Sequence, residues 1–171
     1  MAKFFLTGYM GCGKSTVGKQ LAAKLKYDFI DLDQLIETDY QQTITDIFAT
    51  KGEGEFRAIE HNTLKKLINS NNIVVACGGG TPCYYNNMEL MNSNGITIYI
   101  KMSVDTLVNR LTNAKTNRPL LENKTGDELH QLINSHLEKR EDLYHQAHYI
   151  VKGKNLNVDE LASFLKEQVG V

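Results

Sequence analysis

The chain has 171 residues, enough for one domain with a sizeable core and too few for two of ordinary size. Hydrophobic residues make up 42% and charged residues 23%, with a formal net charge of -1; this balance offers no electrostatic footprint for duplex nucleic acid or an anionic membrane and favours a small-molecule partner. Three cysteines, Cys12, Cys77 and Cys83, are an odd number without CxxC spacing, which argues against a disulfide framework and fits a reducing cytoplasm.

The first apolar run, KFFLT (3–7), predicts a strand. It is too short for a signal segment and runs straight into glycines. No 18-residue apolar stretch occurs, so no membrane span is expected. Further strands are predicted at FIDL (29–32), NIVVAC (72–77), ITIYIKM (96–102) and HYIV (148–151). Apolar on both faces, most of them suit a sheet covered on each side. Helical periodicity runs over Ser15 to Leu25, Glu55 to Ile68, Val104 to Leu111, Leu129 to Leu143 and Val158 to Val169, with Ser103 placed to cap the third. This alternation predicts a single α/β layered domain over 1–171 with a largely parallel sheet. Between Thr112 and Gly126, TNAKTNRPLLENKTG is polar and broken by a proline, a loop of a length that usually accompanies function or mobility.

The segment GYMGCGKST (8–16) follows the first strand and opens the first helix. Gly8, Gly13, Lys14 and Ser15 satisfy G-x-x-x-x-G-K-[ST] in the strand–loop–helix setting the motif requires. Glycines let successive backbone N–H groups turn inward as a nest for phosphate oxygens. The helix start aims its orphan amides at the same place. Lys14 then reaches the β- and γ-phosphates and Ser15 supplies an oxygen for Mg²⁺. Cys12, inside the loop, reads as a small filler.

Three other stretches bear on what receives the phosphate. In FIDLDQLIE, Asp31 and Asp33 are two apart; on a strand they share a face at its carboxyl end, where open α/β sheets bind ligands. One carboxylate can hold Mg²⁺ through water and the other can meet a substrate hydroxyl, although an Asx turn ending a strand has the same sequence. In CGGGTP, Gly78, Gly79 and Gly80 suit a close approach of backbone to a ligand, or a plain flexible turn. Three arginines complete the set. Arg57 has Glu53 and Glu60 within helical pairing distance, Arg140 has no acid at that spacing, and Arg118 lies in the irregular loop. Arginine's planar fork matches a carboxylate, and a loop arginine can close over a transferring phosphate. The five histidines show no metal-ligand spacing, so no zinc site is expected.

Taken together, GYMGCGKST, FIDLDQLIE, IFATKGEGEFRAIE, CGGG, NRPLL and KREDLY resemble the shikimate kinases, a family of nucleoside-monophosphate-kinase-like P-loop enzymes; the motifs occur in that family's order between residues 8 and 144. The resemblance implies a three-layer P-loop kinase fold, with a five-stranded parallel sheet ordered 2-3-1-4-5. It also implies a lid at about 112–124 and an acceptor-binding region at about 33–60. Shikimate is then bound by Asp33, Arg57, Gly78, Gly79, Gly80 and Arg140, the two arginines sharing its carboxylate. ATP is bound by Gly11, Cys12, Gly13, Lys14, Ser15, Thr16, Arg110 and Arg118, with Arg110 packing on adenine. Ser15 and Asp31 stand at the Mg²⁺ position, and Lys14, Asp33 and Arg118 carry catalysis. The segment KGKNLN (152–157) departs from the family's arginine–proline pattern on the adenine side.

The implied reaction is in-line transfer of the γ-phosphoryl group of ATP to the 3-hydroxyl of shikimate, in aromatic amino-acid biosynthesis. The implied setting is a cytoplasmic monomer whose partners are ATP and shikimate, with no nucleic acid or membrane. Two rivals stand beside it. A sister kinase for gluconate or a nucleoside monophosphate would keep the phosphate loop and change the acceptor residues. A non-catalytic nucleotide-binding regulator would bind ATP without turnover.

Overall fold

The computed structural model describes residues 2–114 and 124–170. Five strands form one parallel sheet: β1 (Lys3–Thr7), β2 (Asp28–Asp31), β3 (Ile73–Ala76), β4 (Ile96–Lys101) and β5 (Tyr149–Lys152), in the order β2-β3-β1-β4-β5. The central strand explains the layering. Phe4 and Leu6 point to one side of the sheet and Phe5 to the other, because successive strand side chains alternate. The first face packs against α1 (Lys14–Leu25), α5 (Val104–Thr112), α6 (Gly126–Tyr144) and α7 (Val158–Val169); the second packs against α2 (Leu32–Tyr40), α3 (Ile44–Leu67) and α4 (Asn87–Asn94). Both clusters are apolar and fully covered, as a parallel sheet requires. Among the described residues, no helix is long and apolar enough to cross a membrane.

All strands run the same way, so their carboxyl ends share one edge, and the segments after β1, β2 and β3 converge there. The predicted strands stand within a residue or two of their observed bounds, and Ser103 caps α5 by accepting from the Thr106 amide at 3.3 Å. Two helices, α2 and α4, and the first arm of α3 were not anticipated. At Gly52 the backbone leaves helical geometry (φ 80°, ψ 170°), so the residues before it form a separate arm. The predicted loop lies between α5 and α6, but residues 115–123, with Arg118, fall outside the described residues.

Candidate active site

The phosphate loop begins at Gly8, where the chain leaves β1 with φ 136°. A Cβ there would stand 2.7 Å from the Ile100 carbonyl oxygen and 2.9 Å from Cys12 Sγ, so only glycine fits between the loop and β4. The loop then turns into α1 at Gly13, and among the described residues no side chain caps that helix end. Its first amides are thus left to a ligand, and the helix dipole favours an anion. Lys14 is 8% exposed and donates from Nζ to the carbonyls of Gly8 at 2.7 Å and Tyr9 at 3.0 Å. The Ser15 hydroxyl donates to Asp31 Oδ2 at 2.5 Å. Arg110, from α5, reaches over the loop and donates to the Gly11 carbonyl at 3.4 Å.

The pair Asp31 and Asp33 is arranged differently from the strand face expected of it. Asp31 ends β2 and at once caps α2, its carboxylate accepting from the Gln34 amide at 3.3 Å. Asp33 therefore sits in the first helical turn, not on the strand. The capping carboxylate begins the helix directly at the strand end, where the residues after Asp31 were expected to continue extended. Both carboxylates still face the same cavity.

Arg57 is held by a dense set of contacts. Its Nη1 donates to Glu60 Oε2 at 2.9 Å, while Nε and Nη2 donate to Glu53 Oε1 at 3.4 and 3.2 Å. Glu60 has no solvent exposure and also accepts from the Thr81 hydroxyl at 2.5 Å. The Tyr84 ring lies 4.3 Å from the guanidinium, and its hydroxyl donates to Glu53 Oε1 at 3.0 Å. Burial works against the Arg57 charge, but the charge of Glu60 and its hydrogen bond outweigh it, so the guanidinium is held more firmly protonated than usual. The glycine run serves close approach: a Cβ on Gly80 would stand 2.6 Å from the Arg57 guanidinium, and one on Gly78 would stand 2.8 Å from Glu60 Oε1.

Arg140 and Arg57 both act on the short helical turn Thr81–Cys83. Burial pushes the Cys83 thiol up, while Arg140 and Arg57 both pull it down. Arg140 Nη1 is buried and has no hydrogen-bond partner among the described residues. One helical turn further along α6, the Tyr144 hydroxyl donates to the Gly79 carbonyl at 2.5 Å; burial pushes this phenol up, so it remains a donor.

A single cavity of about 630 Å³ joins these parts. Gly11, Gly13, Lys14, Ser15, Thr16 and Arg110 line one end; Asp33, Arg57, Gly78, Gly79 and Gly80 line the other, with Asp31 between Ser15 and α2. Cys12 lies beneath the loop, 2% exposed, and neither it nor Arg140 is on the cavity wall. Thr81 was missed by sequence reasoning. Glu53 and Glu60 were visible as helical partners of Arg57, but nothing local announces that Glu60 is fully buried.

A glycine loop that feeds a helix start at the carboxyl edge of a 2-3-1-4-5 parallel sheet, opposite a second set of cations and carboxylates, is the arrangement of a P-loop kinase. Comparison with known proteins narrows the class. The shikimate kinase family model matches residues 10–169. A shikimate kinase of Azobacteroides pseudotrichonymphae is 44% identical over 170 residues, covering 99% of this chain and all of that protein. The crystal structure of the Bacteroides thetaiotaomicron shikimate kinase superposes with a TM-score of 0.91 at 41% identity, covering 99% of both chains. That of the Acinetobacter baumannii enzyme, in complex with shikimate, superposes with a TM-score of 0.88 at 33% identity, covering 99% of this chain and 94% of that one. The chain belongs to the shikimate kinase family.

Proposed function

We propose that the two ends of this cavity bind ATP and shikimate, and that the γ-phosphoryl group passes between them to the 3-hydroxyl of shikimate. The observation that carries this reading is the shared cavity itself: the phosphate-loop lysine and the acceptor-side Asp33 and Arg57 line one continuous space. Phosphoryl transfer demands positioning and charge neutralisation more than covalent chemistry.

On this reading, Lys14 leaves the loop carbonyls it occupies and meets the phosphate oxygens, while the uncapped amides of α1 receive the rest of the chain of phosphates. Arg110 covers the loop from the adenine side. Arg57, immobilised by Glu60 and Glu53 on the cavity wall, holds the acceptor's carboxylate. Arg140, whose Nη1 is unpartnered among the described residues and lies behind that wall in this structure, shares it once the substrate is bound. Asp33 takes the hydroxyl proton or orients the hydroxyl toward the phosphorus. Arg118 takes the lid arginine's part on the strength of the sequence resemblance alone.

The residues present fit Mg²⁺: Ser15 and Asp31 put a hydroxyl and a carboxylate side by side at the phosphate end, hard oxygens of the kind this ion takes one or two of while keeping its waters. Bound there through Ser15, and through Asp31 by way of water, the ion would neutralise phosphate charge.

An ADP-release assay with ATP and Mg²⁺ tests the reading against a panel of shikimate, gluconate and nucleoside monophosphates. Turnover confined to shikimate is expected. Turnover with another acceptor, or nucleotide binding without turnover on any of them, would overturn it.

A further inference from the structure

His136, Arg140 and Tyr144 follow one another at four-residue steps along α6, so they share a face of the helix. Each meets a different part of the site. Tyr144 holds Gly79, as described above, and its phenol oxygen also meets the Arg140 side chain. The Arg140 guanidinium lies 5.7 Å from the centre of the Tyr9 ring, and the Tyr9 hydroxyl lies 2.7 Å from His136 Nδ1. Tyr9 belongs to the phosphate loop. It is 1% exposed, and its carbonyl accepts from Lys14 Nζ at 3.0 Å. One residue thus touches the nucleotide-side lysine through its main chain and the acceptor-side arginine through its ring.

We propose that Tyr9, pinned by His136, is a positioning residue for the acceptor: it is the platform that aims Arg140 at the substrate carboxylate and ties that aim to the phosphate loop. This rests on the reading, given above, that Arg140 holds the carboxylate.

The chemistry of Arg140 explains why a ring suits the task. Its Nη1 is buried without a partner among the described residues, an arrangement that costs free energy unless a ligand completes it. A carboxylate neighbour would hold the guanidinium firmly but would occupy the fork the acceptor needs. A ring face attracts the cation without consuming a single N–H. The ring in turn needs its own direction fixed, and a hydrogen bond at the far end of the phenol does this. Burial, then the charges of Arg140 and Lys139, hold the His136 imidazole below its ordinary value, so it stays neutral near pH 7 and can accept the phenol proton at Nδ1. Neutrality also spares Arg140 a second cation one helical turn away.

Steady-state kinetics on the full chain, with shikimate and MgATP varied separately, provide the test. Tyr9→Phe and His136→Leu should each raise KM for shikimate by roughly three- to tenfold, the worth of one net hydrogen bond. The KM for ATP and kcat should stay within about twofold of the parent, well inside that same hydrogen-bond effect. His136→Asn places an amide oxygen near the position of Nδ1 and should restore the parent KM. Arg140→Ala serves as the reference. If Arg140→Ala weakens shikimate binding while Tyr9→Phe and His136→Leu leave it unchanged, the positioning role is overturned and the acceptor reading stands. Equal losses on shikimate and ATP, without rescue by asparagine, would also overturn it, making Tyr9 part of the loop's scaffold. If Arg140→Ala itself leaves shikimate binding unchanged, the acceptor reading fails and the positioning role falls with it.

Discussion

The two ends of the cavity are built on opposite plans. At the phosphate end the working surface is largely main chain, presented by one contiguous stretch between β1 and α1, with a lysine resting on the carbonyls of its own loop. At the acceptor end it is mostly side chains, gathered from α2 and α3 against the backbone of the glycine turn, with Arg140 of α6 packed behind that wall. The difference lies in how each settles its buried charge. A loop of amides carries little net charge to settle. On the proposed reading each arginine must be held without being used up, and the balance differs. Arg57 is held by two glutamates beside the Tyr84 ring. Arg140 is held by the Tyr9 ring and the Tyr144 phenol, with no carboxylate hydrogen-bonded to it and its Nη1 unpartnered among the described residues.

The largest effect should come from the phosphate end. Lys14→Ala is expected to lower kcat about 10²- to 10³-fold, the loss that follows when one preorganised donor is taken from developing charge. Thermal unfolding of the variant should stay close to the parent. Near-normal turnover would break the contrast by showing that amides alone suffice.

Arg57→Ala should cost roughly 2–5 kcal/mol in kcat/KM for shikimate, as when one partner of a buried charge pair is removed, with ATP binding little changed. Because Glu60 would then be a fully buried carboxylate without its cation, stability should fall too. Adding Glu60→Gln should recover stability in a denaturant titration without recovering shikimate use. If both recover together, Arg57 belongs to the scaffold.

Arg140→Ala sharpens the same comparison. The loss of one charge-assisted contact is worth roughly 1.5–3 kcal/mol of shikimate binding. Unlike Arg57→Ala, it strands no buried carboxylate, so the melting temperature should hardly move. Isothermal titration and a melting curve on the same sample would separate the two arginines.

The smallest effect is on pH. The folded-state value of His136 lies below its ordinary 6.5, so as pH falls through about 6.5 the unfolded chain takes up a proton that the folded chain resists, and stability drops. Above that pH both states are neutral and the increment vanishes. His136→Asn should flatten this part of the stability profile; an unchanged profile would assign the drop to other groups.

What could be read in advance follows the same division. The phosphate loop was legible because strand, loop and helix are consecutive and the motif's spacing carries its own mechanism. The acceptor end joins residues far apart: Tyr9 meets His136 across 127 positions, and nothing in KREDLY alone signals that contact. Arg57 and its glutamates were seen as neighbours on one helix, but the burial of Arg57 and Glu60 depends on Thr81 and the glycine turn closing over them. The strand-face reading of Asp31 and Asp33 failed because one residue both ends β2 and caps α2, leaving no turn between them to mark the change. The first arm of α3 was hidden by Gly52 and Gly54, which interrupt the periodic pattern even though the helix resumes beyond Gly52. In α4, the polar run NMELMNSN buries Met88 and Met91 with too little pattern to stand out.

Gly8 sits at the seam between phosphate chemistry and the core, wedged against the Ile100 carbonyl and Cys12. In a growing cell its loss and that of Lys14 would be inherited as different kinds of defect. A Lys14→Ala protein would accumulate to normal levels as an inert but intact molecule. A Gly8→Ala protein, strained at φ 136° and crowded by β4, would spend more of its life open, be cleared by proteases, and score as a null for want of protein rather than for want of chemistry. Immunoblots of the two strains at low and high temperature would tell the two alleles apart.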